Sequence, residues 1–183
     1  MTEKLQVAIE DYIIPQLQQT LLLKAEPPAK DDQTPQCTFV FDREAYEPAF
    51  FNRLWENYRI AIITYRKNVK DIWEENDFET IDTTVLSQNV TMRLCEKETV
   101  LDSHTFREIR RLNPGGHQTA IITTNPVLQT AAIAGRMFAR WSQENFFRYM
   151  IQDYDFDKML QFGIEVIDPE KKVVNPQYRK VNC

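Results

Sequence analysis

Cys37-Thr38-Phe39-Val40-Phe41-Asp42 is a short apolar run that ends on an acid. Continuous apolar character over this length reads as a strand buried on both faces, with Asp42 carried out of the sheet at its C-terminal end. Downstream, Glu47 to Tyr58 has Pro48 suited to a first helical turn and Phe50, Phe51, Leu54 and Trp55 on one side, which predicts a helix. It leads into a second apolar run, Arg59-Ile60-Ala61-Ile62-Ile63-Thr64-Tyr65. Strand, helix, strand with a short return is a βαβ unit over 37–68, and its right-handed crossover makes the two strands parallel. The fold class is therefore α/β.

Before this unit, Leu5, Ile9, Tyr12, Ile13 and Leu17 recur at three- and four-residue steps. They predict an amphipathic helix from Glu3 to Leu23, within an N-terminal helical segment 1–24, bent or interrupted at Pro15. A polar, proline-rich loop around Pro27-Pro28 separates it from the strand. After the unit, 69–124 turns β-rich. Strands are predicted over Phe78–Val85, Val90–Leu94, Thr105–Leu112 and Gln118–Thr124, with Asn113-Pro114-Gly115-Gly116 as a turn, and they form an insertion or a sheet extension. A long helix follows from Val127 to Gln152, and a short one near Lys158–Gln161 completes a helical segment 127–162. Ala131, Ala132, Ala134 and Gly135 permit close packing early in the long helix. A tail, 163–183, ends the chain.

With 183 residues, 43% hydrophobic, the chain is long enough for one domain with a real core. The net charge of -5 does not advertise a nucleic-acid binder, so any DNA contact rests on local patches. Three exist: Arg59, Arg66, Lys67 and Lys70; Arg107, Arg110 and Arg111; and Lys171, Lys172, Arg179 and Lys180. Each also reads as a solvated face balanced by nearby acids. Cys37, Cys95 and Cys183 are odd in number and lack metal spacing, which fits thiols of a reducing compartment. No apolar run approaches the roughly 20 residues of a membrane span. The expected home is the cytoplasm, with no membrane partner.

Asp42 has a counterpart in Glu144, inside the aromatic-rich helical stretch from Arg140 to Tyr149. An acid ending a buried strand and a second acid on a packed helix can share a magnesium ion, because hard cations take rigidly held carboxylate oxygens. Such a pair suggests metal-dependent phosphodiester chemistry. Taken alone, Asp42 also suits an Asx-type turn after a strand, and Glu144 suits a surface pair with Arg140 or Arg148 at helical spacing.

The runs Phe39–Tyr46, Ile60–Lys67, Gly116–Thr124 and Arg140–Tyr149 resemble prokaryotic DDE transposases of the insertion-sequence type. The resemblance covers most of the chain, from Cys37 into the tail. It implies a ribonuclease H-like core with a β-rich insertion before the last catalytic helix. It further implies catalytic, metal-ligating roles for Asp42 and Glu144, magnesium or manganese as cofactor, two ions in the complete enzyme, and transposon-end DNA as partner. Arg140 fits the family's helical signature one turn before the glutamate; Met137 and Ile151 stand where it has tyrosine and lysine. Arg43, Arg66, Lys67, Arg110, Arg111, His117, Arg140 and Arg148 are the DNA-contact candidates.

The family's first catalytic aspartate sits on leading strands that the chain does not show, since Asp11 lies on the predicted first helix. The expectation is a C-terminal fragment of the catalytic domain, inactive alone, with an open sheet edge that favours a homodimer or union with a full-length transposase. The alternative is a non-catalytic remnant that binds DNA or the full-length enzyme as a regulator. An unrelated metal-dependent nuclease would need a further acid near Asp42, with Glu44 and Asp11 as candidates. Trp73 reads first as packing and second as a platform for an unpaired base.

Overall fold

The computed structural model describes residues 2–20, 22–24, 29, 32–85 and 88–139. Among them six strands form one sheet: β1 (Cys37–Val40), β2 (Ile60–Tyr65), β3 (Glu79–Val85), β4 (Gln88–Leu101), β5 (His104–Leu112) and β6 (Gln118–Thr123). Their spatial order is β1-β2-β6-β5-β4-β3. β1 and β2 are parallel, with Phe39 opposite Ile62 and Val40 opposite Ile63. All other neighbours are antiparallel. The βαβ unit read from the sequence is thus present, and the β-rich region extends the same sheet by bringing β6 back onto β2, Tyr65 opposite Ile121.

Two strand expectations change. β1 is half-buried along its whole length rather than buried on both faces, because it is the edge strand and no described strand pairs with its outer side. β4 runs on past Leu94 to Leu101, pairing with β5 from Arg93 opposite Leu112 to Leu101 opposite His104. The exposed Glu96, Lys97 and Glu98 conceal that extension in the sequence. Asp102 and Ser103 close the hairpin with φ of 47° and 68°, the left-handed pair that a two-residue type I′ turn requires.

The crossover helix α3 (Pro48–Tyr58) starts with proline in its first turn, where the missing N–H is no loss. It ends on Arg59 in the left-handed region, φ 51°. A side chain there costs about 1 kcal/mol relative to glycine. Arg59 offsets it by donating from Nη1 to the Trp55 carbonyl at 3.1 Å and stacking over the Trp55 ring at 5.0 Å. The N-terminal segment is α1 (Thr2–Ala8), a π turn (Ile9–Ile13) and α2 (Ile14–Gln19). Its irregularity falls just before Pro15, as the sequence leads one to expect.

Alternation along the strands separates two apolar layers. On one face Phe50, Phe51 and Leu54 of α3, with Ile9 and Ile14, cover Ile60, Ile62, Phe106 and Ile122. On the other, helix α4 (130–139) lays Ile133, Ala134 and Met137 over Ile63, Ile109 and Ile121. A Cβ on Gly135 would stand 3.6 Å from the Thr84 carbonyl oxygen, so the small residues do bring α4 close to β3. The predicted course of the long helix beyond 139, the short helix near 158–161 and the tail lie outside the described residues. Cys37 and Cys95 are free thiols, and burial pushes both up from their ordinary pKa. Among the described residues no helix is long and apolar enough to cross a membrane.

Phe51 is the hub of the first layer, fully buried and touching the rings of Phe41, Tyr46, Phe50 and Phe106 at centroid distances of 5.8, 5.5, 6.2 and 6.3 Å. Phe51→Ala is expected to destabilise by about 3–5 kcal/mol in urea unfolding, whereas Val100→Ala, on the exposed strand end, is expected to stay within about 0.5 kcal/mol.

Candidate functional site

The C-terminal ends of β1 and β2 point the same way because the strands are parallel, and β6 begins at that end because it runs against β2. Three connections therefore meet there: the turn after β1, the loop 66–74 after β2, and the turn 113–117 before β6. In open α/β sheets this end of the parallel strands is where ligands are held.

Asp42 stands at the exit of β1, half-buried. Its Oδ1 accepts from the Arg43 N–H at 2.7 Å and caps the short 3-10 turn Arg43–Ala45, while its carbonyl accepts from Thr64 Oγ1 at 3.1 Å. The aspartate thus bonds the backbone of the turn that follows it, to the next N–H rather than the one after as in an Asx turn. The cap and the bond to β2 fix the aspartate's direction at the sheet end. Arg43, next in the chain, is exposed and lies 5.8 Å over the Tyr65 ring.

Beside them lies a cleft of about 520 Å³ lined by Arg43, Arg66, Lys70, Ile72, His117 and Thr119, among others. Its floor is organised by one carboxylate. Glu108, fully buried on β5, accepts from Arg66 Nη1 on one oxygen and from Arg110 Nε at 2.7 Å on the other. Arg110 reaches on to Asp71, donating to its carbonyl at 2.8 Å and its Oδ2 at 2.7 Å. Arg66 Nη1 lies 3.8 Å from Asp71 Oδ1. Burial alone would raise the Asp71 carboxyl; its own N–H and then the Arg110 guanidinium outweigh that and hold it below the usual range. The Trp73 ring is flanked by two cations, with Arg110 Cζ 4.1 Å and Lys97 Nζ 4.9 Å from the ring centroid.

The sequence candidates therefore divide. Arg43, Arg66 and His117 come together at the cleft. Lys70 lines it as well, and among the described residues no ion pair joins Arg43 or Lys70 to an acid. Lys67 sits near the cleft but over the Tyr46 ring, at 5.4 Å. Arg110, also a DNA-contact candidate, has a fully buried guanidinium bonded to Glu108 and Asp71. Arg111 is on the other face of the sheet, 4.6 Å over the Phe138 ring. Glu144, Arg140 and Arg148 lie outside the described residues. Glu108 and Gln118 went unread in the sequence, although Phe106, Glu108, Arg110 and Leu112 share one face of a strand by alternation. A carboxylate on an apolar face beside an arginine is a signal for a buried ion pair.

The described residues contain no group of three or more metal-binding side chains. Asp42 alone does not make a divalent-metal site, which needs several oxygen donors.

An acid at the strand end and a cleft lined by Arg43, Arg66 and Lys70 stand side by side on a mixed α/β sheet. The family model Transposase_29, described as a transposase protein, matches residues 4–183, and the chain belongs to this transposase family. No curated protein and no solved structure matches it.

Removing Glu108 leaves two guanidinium groups in the sheet without their shared carboxylate. Glu108→Ala is expected to destabilise by about 3–5 kcal/mol, read by urea unfolding. On the opposite face Glu96 accepts from Arg107 Nε at 2.6 Å and from Thr130 Oγ1 at the start of α4. Burial would raise its carboxyl, but the bonds from Arg107 and Thr130 hold it below 4.5. A folded pKa depressed in this way stabilises above the unfolded value and loses that contribution as pH falls through the folded one. Acid unfolding of Glu96→Gln is therefore expected to show a shallower loss of stability below pH 4.5 than the parent.

Proposed function

We propose that the chain serves DNA transposition as part of a DDE-type transposase of prokaryotic insertion-sequence kind, with a ribonuclease H-like core in which Asp42 and Glu144 are metal ligands and transposon-end DNA is the partner. The observation that carries this reading is the position of Asp42. It follows one strand of a parallel pair, caps the turn after it, is bonded at its carbonyl by Thr64, and stands next to a cleft lined by Arg43 and Lys70.

Magnesium or manganese, when bound, would supply activation of water or a 3′-hydroxyl and stabilisation of the leaving oxygen in an in-line displacement. Asp42 would be one ligand; Glu144 is the second that the reading requires. The chain's own described residues do the rest. Arg43 and Lys70 attract the phosphate track, and DNA binding through them releases counterions and weakens with salt. Glu108 and Arg110 hold the loop that carries Lys70, so that its charge faces the DNA at a fixed height. Among the described residues no strand pairs with the outer edge of β1, which also suits this reading, since a further strand there would lie beside Asp42.

Manganese binding to the full chain, followed by water proton relaxation, tests the metal half. Asp42→Asn and Glu144→Gln are each expected to weaken it, and affinities equal to the parent would remove both assignments. Arg43→Ala with Lys70→Ala is expected to lower DNA affinity across all sequences and to flatten the salt dependence by about two charges. DNA binding without cleavage in the presence of manganese would favour the regulatory role over the catalytic one.

A further inference from the structure

Ile72 is 83% exposed, the most exposed of the large hydrophobic residues among those described. Its neighbours on both sides are pinned. Asp71 takes two hydrogen bonds from Arg110, one at its carbonyl and one at its carboxylate. Trp73 exchanges two with the Gln118 side chain: its N–H donates to Oε1 at 3.0 Å and its carbonyl accepts from Nε2 at 2.7 Å. The Trp73 indole also donates to Asp71 Oδ2 at 3.1 Å, tying the two flanks to each other. A loop held this firmly on either side of one residue is built to present that residue.

What it presents is a β-branched side chain, stiff at its first torsion, at the rim of the cationic cleft. Solvent-facing apolar atoms on a rigid loop gain nothing in the free protein. Against DNA they can enter a base step, the use that isoleucine, leucine and methionine find in proteins that unstack a duplex.

We infer that Ile72 is a wedge that inserts into an opened base step of DNA lying along the cleft, with Lys70 and Arg43 holding the adjacent phosphates. This rests on the DNA reading of the cleft given above. Trp73, the sequence candidate for base stacking, is instead the anchor: its ring is engaged by Arg110 and Lys97, and it sets the position of Ile72 rather than meeting a base itself.

Opening a step is cheapest where pairing is already lost. The test is fluorescence anisotropy of the full chain with a mixed-sequence duplex and with the same duplex carrying an abasic site. The parent is expected to prefer the abasic duplex by about tenfold, the effect of burying one aliphatic side chain. Ile72→Ser is expected to lose that preference while binding the intact duplex as before, and Ile72→Leu to retain it. Lys70→Ala is expected to weaken both duplexes equally and to leave the preference alone. A preference unchanged in Ile72→Ser, or absent in the parent, overturns the wedge while leaving the cleft as a DNA site. Loss of preference in Ile72→Ser with Lys70→Ala and Arg43→Ala both inert keeps the wedge and overturns the cleft. No binding to either duplex overturns both.

Discussion

The two edges of β2 are used in opposite directions, β1 lying parallel along one and β6 antiparallel along the other. Ile60, Ala61, Ile62 and Ile63 are all fully buried between them, two facing each way. The parallel pair and the antiparallel extension share no other strand, so the sheet is continuous only because β2 accepts both. Its polar end is supported to match. Thr64 reaches across to the Asp42 carbonyl, and the Arg66 N–H continues the ladder by donating to the Ala120 carbonyl at 2.9 Å. The end of β2 thus ties the turn with the candidate acid to the strand bordering the cleft.

β5 distributes charge in the same two-sided manner. On one face Glu108 and Arg110 fasten the loop 66–74; on the other Arg107, held by Glu96, donates to the Asn125 and Leu128 carbonyls at 2.7 and 2.8 Å. Those carbonyls lie in the approach to α4. One strand in the antiparallel extension therefore sets both the floor of the cleft and the entry of the helix covering the opposite face. A buried carboxylate between two guanidinium groups is a poor source of stability compared with an apolar replacement. Its value here is geometric: it fixes where a loop with no regular structure must lie.

Much of this was legible in the chain. Phe39 through Asp42, the one-sided apolar pattern of Phe50, Phe51 and Leu54, and the run Ile60–Ile63 state a βαβ unit, since burial and period leave few alternatives. Asn113-Pro114-Gly115-Gly116 announces its turn, with Gly116 taking a φ of 79°. Three features escaped. The half-burial of β1 depends on what lies against its faces and edge, and composition does not carry that. The far half of β4 looks polar because only backbone pairing with β5 makes it a strand. The buried network was hidden because arginines read as surface charge until a specific acid is placed against them. Of the candidate site, Asp42, Arg43, Arg66 and His117 were readable from local pattern; the role of Arg110 and the isolation of Ile72 required the fold.

The π turn between α1 and α2 decides which side of the N-terminal segment meets the sheet. Ile9 and Ile14 are both buried, 4% and 2% exposed, and both face the first apolar layer. In a regular helix, positions five apart diverge by about 140° around the axis. The wider turn narrows that divergence, and the Ile14 N–H donates to the Ile9 carbonyl across it. Leu5 before the turn and Leu17 after it pack on that same layer, so one buried face continues from α1 into α2 across the irregularity and past Pro15.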